Sequence, residues 1–298
     1  MVNATHMIVL MAPRGAALEV GRVAEVAQAA GAVVIKTRAV PVPVTLFDRR
    51  TVHNLLVSSA DTKGLSSRLR DLSDQYGVDI ALQPRAARCQ SYRLAVFDMD
   101  STLIDCEVID ELAAQAGVGE AVAEITAQAM RGELDFDESY RTRLALLEGL
   151  DARAVEELAD RLPVKEGLRE MTTTLKAQGL KLAIFSGGFM PIAERLQVDY
   201  GFDEVVANTL EIASGKVTGR VVPPIVNREH KAAALQALAN RLGIGVDACI
   251  AVGDGANDLD MMAMAGLGVA FHAKPAVRAA SPIEAVSYTH LRAHETSN

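Results

Sequence analysis

Two aspartates at the end of an apolar run are the residues whose types and spacing most directly suggest chemistry. Residues 94–97 are all apolar and lead straight into Asp98 and Asp100, a pattern that predicts a buried strand ending in a charged loop. Alternate side chains of an extended segment share a face, so both carboxylates can point into one crevice. Such a pair can divide into an ionised nucleophile and a protonated proton donor. The alternative is that the two acids simply form part of a turn.

Two further apolar runs end in residues suited to phosphate or metal chemistry. One leads into Ser-Gly-Gly at 186–188, and the other into Gly-Asp-Gly-Ala-Asn-Asp at 253–258. Carboxyl ends of neighbouring parallel strands line one crevice, so both segments are expected to meet Asp98. Lys231, near the start of a predicted helix, can reach the same place.

The acids of these segments form an oxygen-rich set of donors. Asp98, Asp254 and Asp258 supply hard ligands, which suit Mg²⁺ together with waters and a substrate phosphate oxygen. Zinc is not expected, because no His or Cys accompanies them. The Ser186 hydroxyl and nearby glycine amides can bind phosphoryl oxygens, and Lys231 adds a positive charge. Covalent phosphoryl transfer to an aspartate, followed by hydrolysis, uses all of these parts.

Strand and helix alternate along the part of the chain that must position these residues. The predicted strands cover residues 94–97, 182–185, 204–207, 248–252 and 267–271, with a hairpin over 210–221. This alternation predicts an α/β fold with a doubly wound parallel sheet. Between the first two strands, a long helical pattern broken by glycines and a proline predicts a helical insert at about 106–178.

The N-terminal residues have an alternation of their own. Apolar runs and helical periodicities over residues 7–84 follow the order β-α-β-β-α-β, which predicts an α+β, ferredoxin-like domain with an antiparallel sheet and two helices. We place this domain at 1–84, a linker at 85–92 and the α/β domain at 93–286. The N-terminal domain has no paired acids or phosphate loop, so a structural, dimerising or small-molecule regulatory role remains open.

Composition limits the classes of function. The chain has 298 residues, half of them hydrophobic, and a formal net charge of −8, which argues against broad binding to nucleic acid or to an anionic membrane. Cys89, Cys106 and Cys249 lack metal-ligand spacing and are interpreted as reduced thiols. No apolar run approaches the ~20 residues of a membrane-spanning helix. We therefore expect a soluble, cytoplasmic protein.

The ordered motifs resemble a known family. They are Asp98-Met-Asp-Ser-Thr, the apolar strand into Ser186, Lys231 and the segment 253–258. Together they resemble the haloacid dehalogenase superfamily of aspartyl-phosphate phosphatases. Within it, the chain resembles the phosphoserine phosphatase family at Glu107, the segment 130–136, Arg143 and the segment 186–189. The resemblance covers about residues 92 to 286 and implies a Rossmann-like sheet with a helical cap.

The resemblance also implies roles for individual residues. Asp98 would be the nucleophile, and Asp100 would protonate the leaving seryl oxygen and later deprotonate water. Mg²⁺ would be held by Asp98, Asp254 and the backbone carbonyl of Asp100, with Asp258 supporting the metal site. The phosphoryl group would be held by Ser186, Gly187, Lys231 and Asn257.

Substrate choice would rest on the cap. The resemblance implies that Glu107 meets the α-ammonium of O-phospho-L-serine and that Arg143 binds its α-carboxylate, while Met130 and Phe136 wall the pocket. Hydrolysis would yield L-serine and phosphate, the last step of serine biosynthesis. Taken singly, such residues are more often solvated charges or core apolar groups.

Two regions of the chain are less well matched. The N-terminal domain resembles the ACT-like domains of some bacterial phosphoserine phosphatases, which implies homodimerisation or amino-acid sensing, with serine as the effector. Residues 287–298 are polar and patternless where the family would have a last strand and a short helix. They resemble translated adaptor sequence, so we expect a non-native tail and a missing edge element.

Two other functions remain open from the sequence. The first is a phosphatase of the same superfamily that acts on another small phosphomonoester. The second is a non-catalytic amino-acid sensor with a degenerate phosphatase domain, which the intact acids disfavour.

Overall fold

The computed structural model describes residues 3–13, 15–40, 50–88, 90–273, 275–280 and 283–285. Cys89 and the tail 287–298 lie outside these residues. Among the described residues, no helix has both the length and the apolar character needed to cross a membrane.

The N-terminal region forms a four-stranded antiparallel sheet with two helices on one face. Its elements are β1 (His6–Pro13), α1 (Val20–Ala29), β2 (Val33–Val40), β3 (Arg50–Ser58), α2 (Thr62–Tyr76) and β4 (Asp79–Pro84). The strand order is β2-β3-β1-β4, and each neighbouring pair is antiparallel. Alternate residues of the strands, such as Ile8 and Leu10, pack with Val23 and Leu65 of the helices in one buried cluster. The predicted ferredoxin-like fold is confirmed.

A seven-stranded sheet forms the rest of the core. Its strands are β5 (Leu94–Phe97), β6 (Lys181–Phe189), β7 (Glu204–Ala213), β8 (Lys216–Val222), β9 (Cys249–Gly253), β10 (Leu267–Phe271) and β11 (Ile283–Ala285). The strand order is β11-β10-β9-β5-β6-β7-β8. All neighbours are parallel except the β7–β8 hairpin. β5 lies at the centre and all four of its residues are buried, which explains its unbroken apolar sequence.

Helices complete this α/β architecture. Those outside the insert are α3 (Arg85–Arg88), α9 (Met190–Tyr200), α10 (Arg228–Leu242), α11 (Leu259–Met264) and α12 (Pro275–Ala280). The insert consists of α4 (Val108–Gln115), α5 (Gly119–Met130), α6 (Phe136–Ala145), α7 (Arg153–Asp160) and α8 (Leu168–Ala177). The last helix of the predicted insert of 106–178, α8, packs against β6 and α9. It therefore covers the sheet together with α9.

Three local features differ from the sequence predictions. The linker 85–92 contains the short helix α3, and β7 runs without a break from the parallel sheet into the hairpin. We expected a missing edge element, but α12 and the three-residue β11 lie before residue 287, and β11 pairs with β10. A three-residue strand is too short to show an alternating pattern, which explains why it was not predicted.

The β7–β8 hairpin also attaches to the cap. Three backbone hydrogen bonds join the loop before α7 to the hairpin: Gly149 N to Val217 O at 2.9 Å, Val217 N to Leu150 O at 2.8 Å, and Ala152 N to Gly215 O at 2.9 Å. The cap is therefore held at this loop as well as at its two chain ends.

Gly219 is the point where this hairpin approaches α6 most closely. Its φ is +71°, and a Cβ there would lie 3.1 Å from the Ala145 carbonyl oxygen and from Glu148 Cβ. We expect Gly219→Ala to lower the free energy of unfolding by about 2–4 kcal/mol, because left-handed strain and a backbone clash add. Gly243, with φ +67° and no atom within 4 Å of a Cβ, is the matched control. Gly243→Ala should cost only about 1–2 kcal/mol, and equal costs in urea unfolding would contradict this packing.

Candidate active site

Asp98 lies where the central strand β5 opens into a loop. Its backbone N donates to the Val252 carbonyl of β9 at 2.9 Å, and the residue is 5% exposed. Met99 is fully buried in the core, so the two acids turn away from it, as predicted for alternate residues. Ser101 follows with a φ of +59°, and its hydroxyl donates to Glu107 Oε1 at 2.8 Å.

The Lys231 ammonium lies between two carboxylates. Its Nζ donates to Asp98 Oδ1 at 2.6 Å and to Asp258 Oδ1 at 2.7 Å, and the side chain has no solvent exposure. Lys231 lies in the first turn of α10, which begins after Asn227, whose side chain accepts from His230 N. The predicted position near a helix start is confirmed.

Two more contacts order the loop after β9. Asp258 Oδ2 accepts from Gly255 N at 3.0 Å, so both of its oxygens are occupied. A Cβ on Gly253 would lie 2.3 Å from Asp258 Cγ, which explains the requirement for glycine at the strand end. Asp254 Oδ1 accepts from the Thr102 hydroxyl at 3.0 Å. Thr102 therefore ties this loop to the loop that carries Asp98.

Burial governs the ionisation of these acids. Burial and the neighbouring Asp258 carboxylate raise the pKa of Asp98 well above its usual range, an effect that the Lys231 ammonium opposes. Burial, with Glu107 and Asp98 nearby, also raises the pKa of Asp100. Burial raises the pKa of Asp254 to about 6. The site therefore holds more negative charge than one ammonium neutralises, which favours a bound cation.

Carboxylate oxygens of Asp98, Asp254 and Asp258 lie within 4.8 Å of one another. Asp258 is committed to Lys231 and Gly255. No described residue donates a hydrogen bond to Oδ2 of Asp98 or of Asp254. Among the described residues, these two oxygens are thus available as metal ligands. A set of ligands made only of oxygen fits a hard divalent cation.

A buried asparagine holds the loop at the end of β6. Asn208 Nδ2 donates to the Gly187 carbonyl at 2.7 Å, and its Oδ1 accepts from Val226 N at 2.8 Å. Within the loop, the Ser186 hydroxyl accepts from Gly188 N at 2.9 Å. Sequence reasoning missed Asn208, although an amide inside a strand is unusual enough to have been a signal.

The cap and the strand ends enclose a cavity of about 510 Å³. The sequence-predicted site residues that line it are Asp98, Asp100, Glu107, Met130, Phe136, Arg143, Gly187, Asp254 and Asn257. Ser186, Lys231 and Asp258 are buried and do not line it. Phe136 reaches across from the cap, since a Cβ on Gly187 would lie 3.1 Å from its Cζ. The structure thus brings all of the predicted residues into one region.

The cap supplies the charges on the far side of the cavity. Burial lowers the pKa of Arg143, while Asp110, Glu107 and Asp100 oppose this shift. No described carboxylate forms an ion pair with Arg143; its Nε donates to the Ser139 carbonyl at 3.4 Å. Guanidinium N–H groups remain available to an anionic ligand.

Comparisons with known proteins agree with this geometry. A family model described as haloacid dehalogenase-like hydrolase matches residues 92–266, more than half of the chain. A phosphoserine phosphatase from Streptomyces coelicolor is 46% identical over 231 residues, 78% of this chain and 56% of the relative. One from Archaeoglobus fulgidus is 42% identical over 218 residues, 73% of this chain and 63% of the relative. The chain spans between about half and two thirds of the length of these curated relatives.

Solved structures extend the similarity to the N-terminal region. A haloacid dehalogenase family hydrolase from Salmonella enterica serovar Typhi has a TM-score of 0.84 and 30% identity, covering 98% of this chain and 99% of that one. A probable phosphoserine phosphatase from Vibrio cholerae has a TM-score of 0.71 and 32% identity, covering 95% of this chain and 82% of that one. The chain therefore belongs to the haloacid dehalogenase-like hydrolase family, in which it resembles the phosphoserine phosphatases.

Proposed function

We propose that the protein hydrolyses O-phospho-L-serine to L-serine and phosphate through a phosphoryl group carried on Asp98. The observation that carries this proposal is the Asp98 carboxylate, held by Lys231 on the floor of a cavity whose cap wall presents Glu107 and Arg143. The names of the relatives support the same substrate. The intact set of acids disfavours the non-catalytic alternative.

In the first step, an Asp98 carboxylate oxygen attacks phosphorus and the bond to the seryl oxygen breaks. Asp100 gives its proton to that leaving oxygen. In the second step, Asp100 takes a proton from water, which attacks phosphorus and releases phosphate and the free Asp98 carboxylate. A raised pKa of Asp100 supports this role, because the group must hold a proton when the first step begins.

We propose Mg²⁺ as the cation, bound by Asp98, Asp254 and the backbone carbonyl of Asp100, with Asp258 in support through Lys231. When bound, it supplies charge that offsets the repulsion between an anionic nucleophile and an anionic phosphate. The free oxygens of Asp98 and Asp254 support this assignment. The Lys231 ammonium opposes the rise in the pKa of Asp98 and so favours the ionised carboxylate.

The phosphoryl group is held in this proposal by Ser186, Gly187, Asn257 and Lys231. A Cβ on Gly187 would lie 3.8 Å from Asn257 Nδ2, so the side-chain amide of Asn257 lies next to the Gly187 backbone. The Asn208 side chain holds this loop in place through its hydrogen bond to the Gly187 carbonyl. Preorganised donors of this kind stabilise charge that develops on a transferring group.

Glu107 and Arg143 select the substrate in this proposal. Glu107 binds the α-ammonium and Arg143 the α-carboxylate, while Met130 and Phe136 wall the cavity. Met130 is 68% exposed, which is consistent with a place at the cavity mouth. We also propose that residues 93–286 form the phosphatase unit of a cytoplasmic enzyme and that residues 1–84 serve as an ACT-like module for dimerisation or serine sensing.

Asp98→Asn should lower the rate of phosphate release from O-phospho-L-serine by roughly a thousandfold or more, because the amide cannot act as the nucleophile. Asp105→Asn is the control, since Asp105 lies in the same loop but pairs with Lys165 at the surface; its turnover should stay within about twofold. Mass spectrometry of acid-quenched wild type should find the phosphoryl group on residue 98. An adduct at any other residue would refute the nucleophile assignment.

Arg143→Ala should remove the preference for O-phospho-L-serine over phosphoethanolamine, which lacks only the carboxylate. We expect kcat/KM for O-phospho-L-serine to fall about tenfold to a hundredfold and that for phosphoethanolamine to change little. Arg141→Ala, on the exposed side of the same helix, is the matched control. An unchanged preference in Arg143→Ala would show that the substrate is another phosphomonoester.

Metal-free protein should become more stable as the pH falls from 7.5 to 5. The folded-state pKa of Asp254, about 6, lies above its unfolded value, so the folded state binds more protons in this window and stability is lost as the pH rises. Mg²⁺ should therefore raise Tm more at pH 7.5 than at pH 5. Asp254→Asn, which can still accept from Thr102, should show a weaker pH dependence in chelator; an identical dependence would contradict the assignment.

A further inference from the structure

Helix α6 presents one face to the cavity. Phe136, Ser139, Tyr140 and Arg143 all line it, and spacings of three and four residues place them on the same side of the helix. Phe136 lies over the Gly187 loop, and the Tyr140 ring packs against an aromatic ring of the core. The proposal above assigns Arg143 to the substrate, so Ser139 is the member of this face without an assigned role.

The Ser139 hydroxyl is buried without a partner. The residue is 2% exposed, and no described group hydrogen-bonds its Oγ. Helical serines usually donate to the carbonyl four residues earlier, as Thr126 does to Val122 O on the same cavity wall at 3.0 Å. The Asp135 carbonyl instead accepts from Ser139 N. A buried hydroxyl that lacks a partner destabilises the fold, so its presence beside a cavity points to a ligand.

Arg143 lies one turn further along the same face. Its Nε donates to the Ser139 carbonyl at 3.4 Å, which holds the Arg143 side chain against the helical turn that carries Ser139. None of the described acids pairs with this guanidinium. A hydroxyl donor and a guanidinium, both available and four residues apart, form a compact site for one carboxylate.

We propose that Ser139 is a substrate-binding residue whose Oγ donates a hydrogen bond to the α-carboxylate that Arg143 also binds. This inference rests on the proposed function and adds a second specificity group to it. An ammonium group would require a strong acceptor, which the Glu107 carboxylate already provides in the same cavity. The carboxylate is thus the substrate group that matches a donor at this position.

The test compares Ser139→Ala with Ser73→Ala in the full chain. Both serines are buried in helices, but the Ser73 hydroxyl donates to the Val78 carbonyl in the N-terminal region, away from the cavity. For Ser139→Ala, kcat/KM for O-phospho-L-serine should fall about tenfold or more, because a hydrogen bond to a charged group is lost. That for phosphoethanolamine should stay within about twofold. Ser73→Ala should leave the ratio of the two substrates unchanged.

Thermal unfolding is a second measurement, in which the two variants should change Tm in opposite directions. Ser139→Ala removes an unpaired hydroxyl and improves helix propensity, so its Tm should rise by about 2–4 °C. Ser73→Ala removes a made hydrogen bond, so its Tm should fall. A lower Tm for Ser139→Ala, or an equal loss of activity on both substrates, would indicate a structural role and overturn the proposal.

The outcomes also separate this inference from the proposed function. If wild type hydrolyses O-phospho-L-serine and Ser139→Ala keeps the wild-type substrate ratio, only the Ser139 assignment is wrong. If wild type does not hydrolyse O-phospho-L-serine, the proposed function is wrong and the Ser139 assignment is wrong with it.

Discussion

The buried ammonium of Lys231 is the interaction on which the rest of the site depends. Removing three charges from water costs several kcal/mol for each ion, and short hydrogen bonds to Asp98 and Asp258 offset that cost. The three residues come from the loop after β5, from α10 and from the loop after β9. Their pairing therefore ties the loop after β5 to two segments that lie more than a hundred residues further along the chain. Loss of the ammonium would leave two buried carboxylates without compensation.

The same pairing leaves the site electrostatically incomplete. One ammonium faces several acids, and burial raises the pKa values of Asp98, Asp100 and Asp254. Stability is thus lost at the place where the proposed function requires a cation and a phosphate to bind. A site that was fully neutral before binding would gain less from a cation, because the cation brings the positive charge that the acids of this site lack.

Sequence alone could predict the parts of the site that depend on local pattern and topology. Apolar strands that end in Asp98 or Ser186 indicate a shared crevice, because parallel strands must open at one edge. Asn208 and Ser139 were not found by such reasoning. The role of Asn208 depends on a carbonyl 21 positions away, and that of Ser139 depends on what its hydroxyl does not contact. Periodicity reports which face of an element is buried, but it does not report which polar groups lack partners.

The backbone hydrogen bonds between the loop before α7 and the β7–β8 hairpin set how the cavity can admit a molecule. A cap that was attached only at its two chain ends could rotate about them as a rigid body. With this third attachment, such a swing would have to break the bonds at Gly149, Leu150 and Ala152 or carry the hairpin with it. Met130, which lines the cavity at the end of α5, is 68% exposed and takes no part in these three bonds. On that side, a molecule could enter or leave the cavity without a swing of the whole cap.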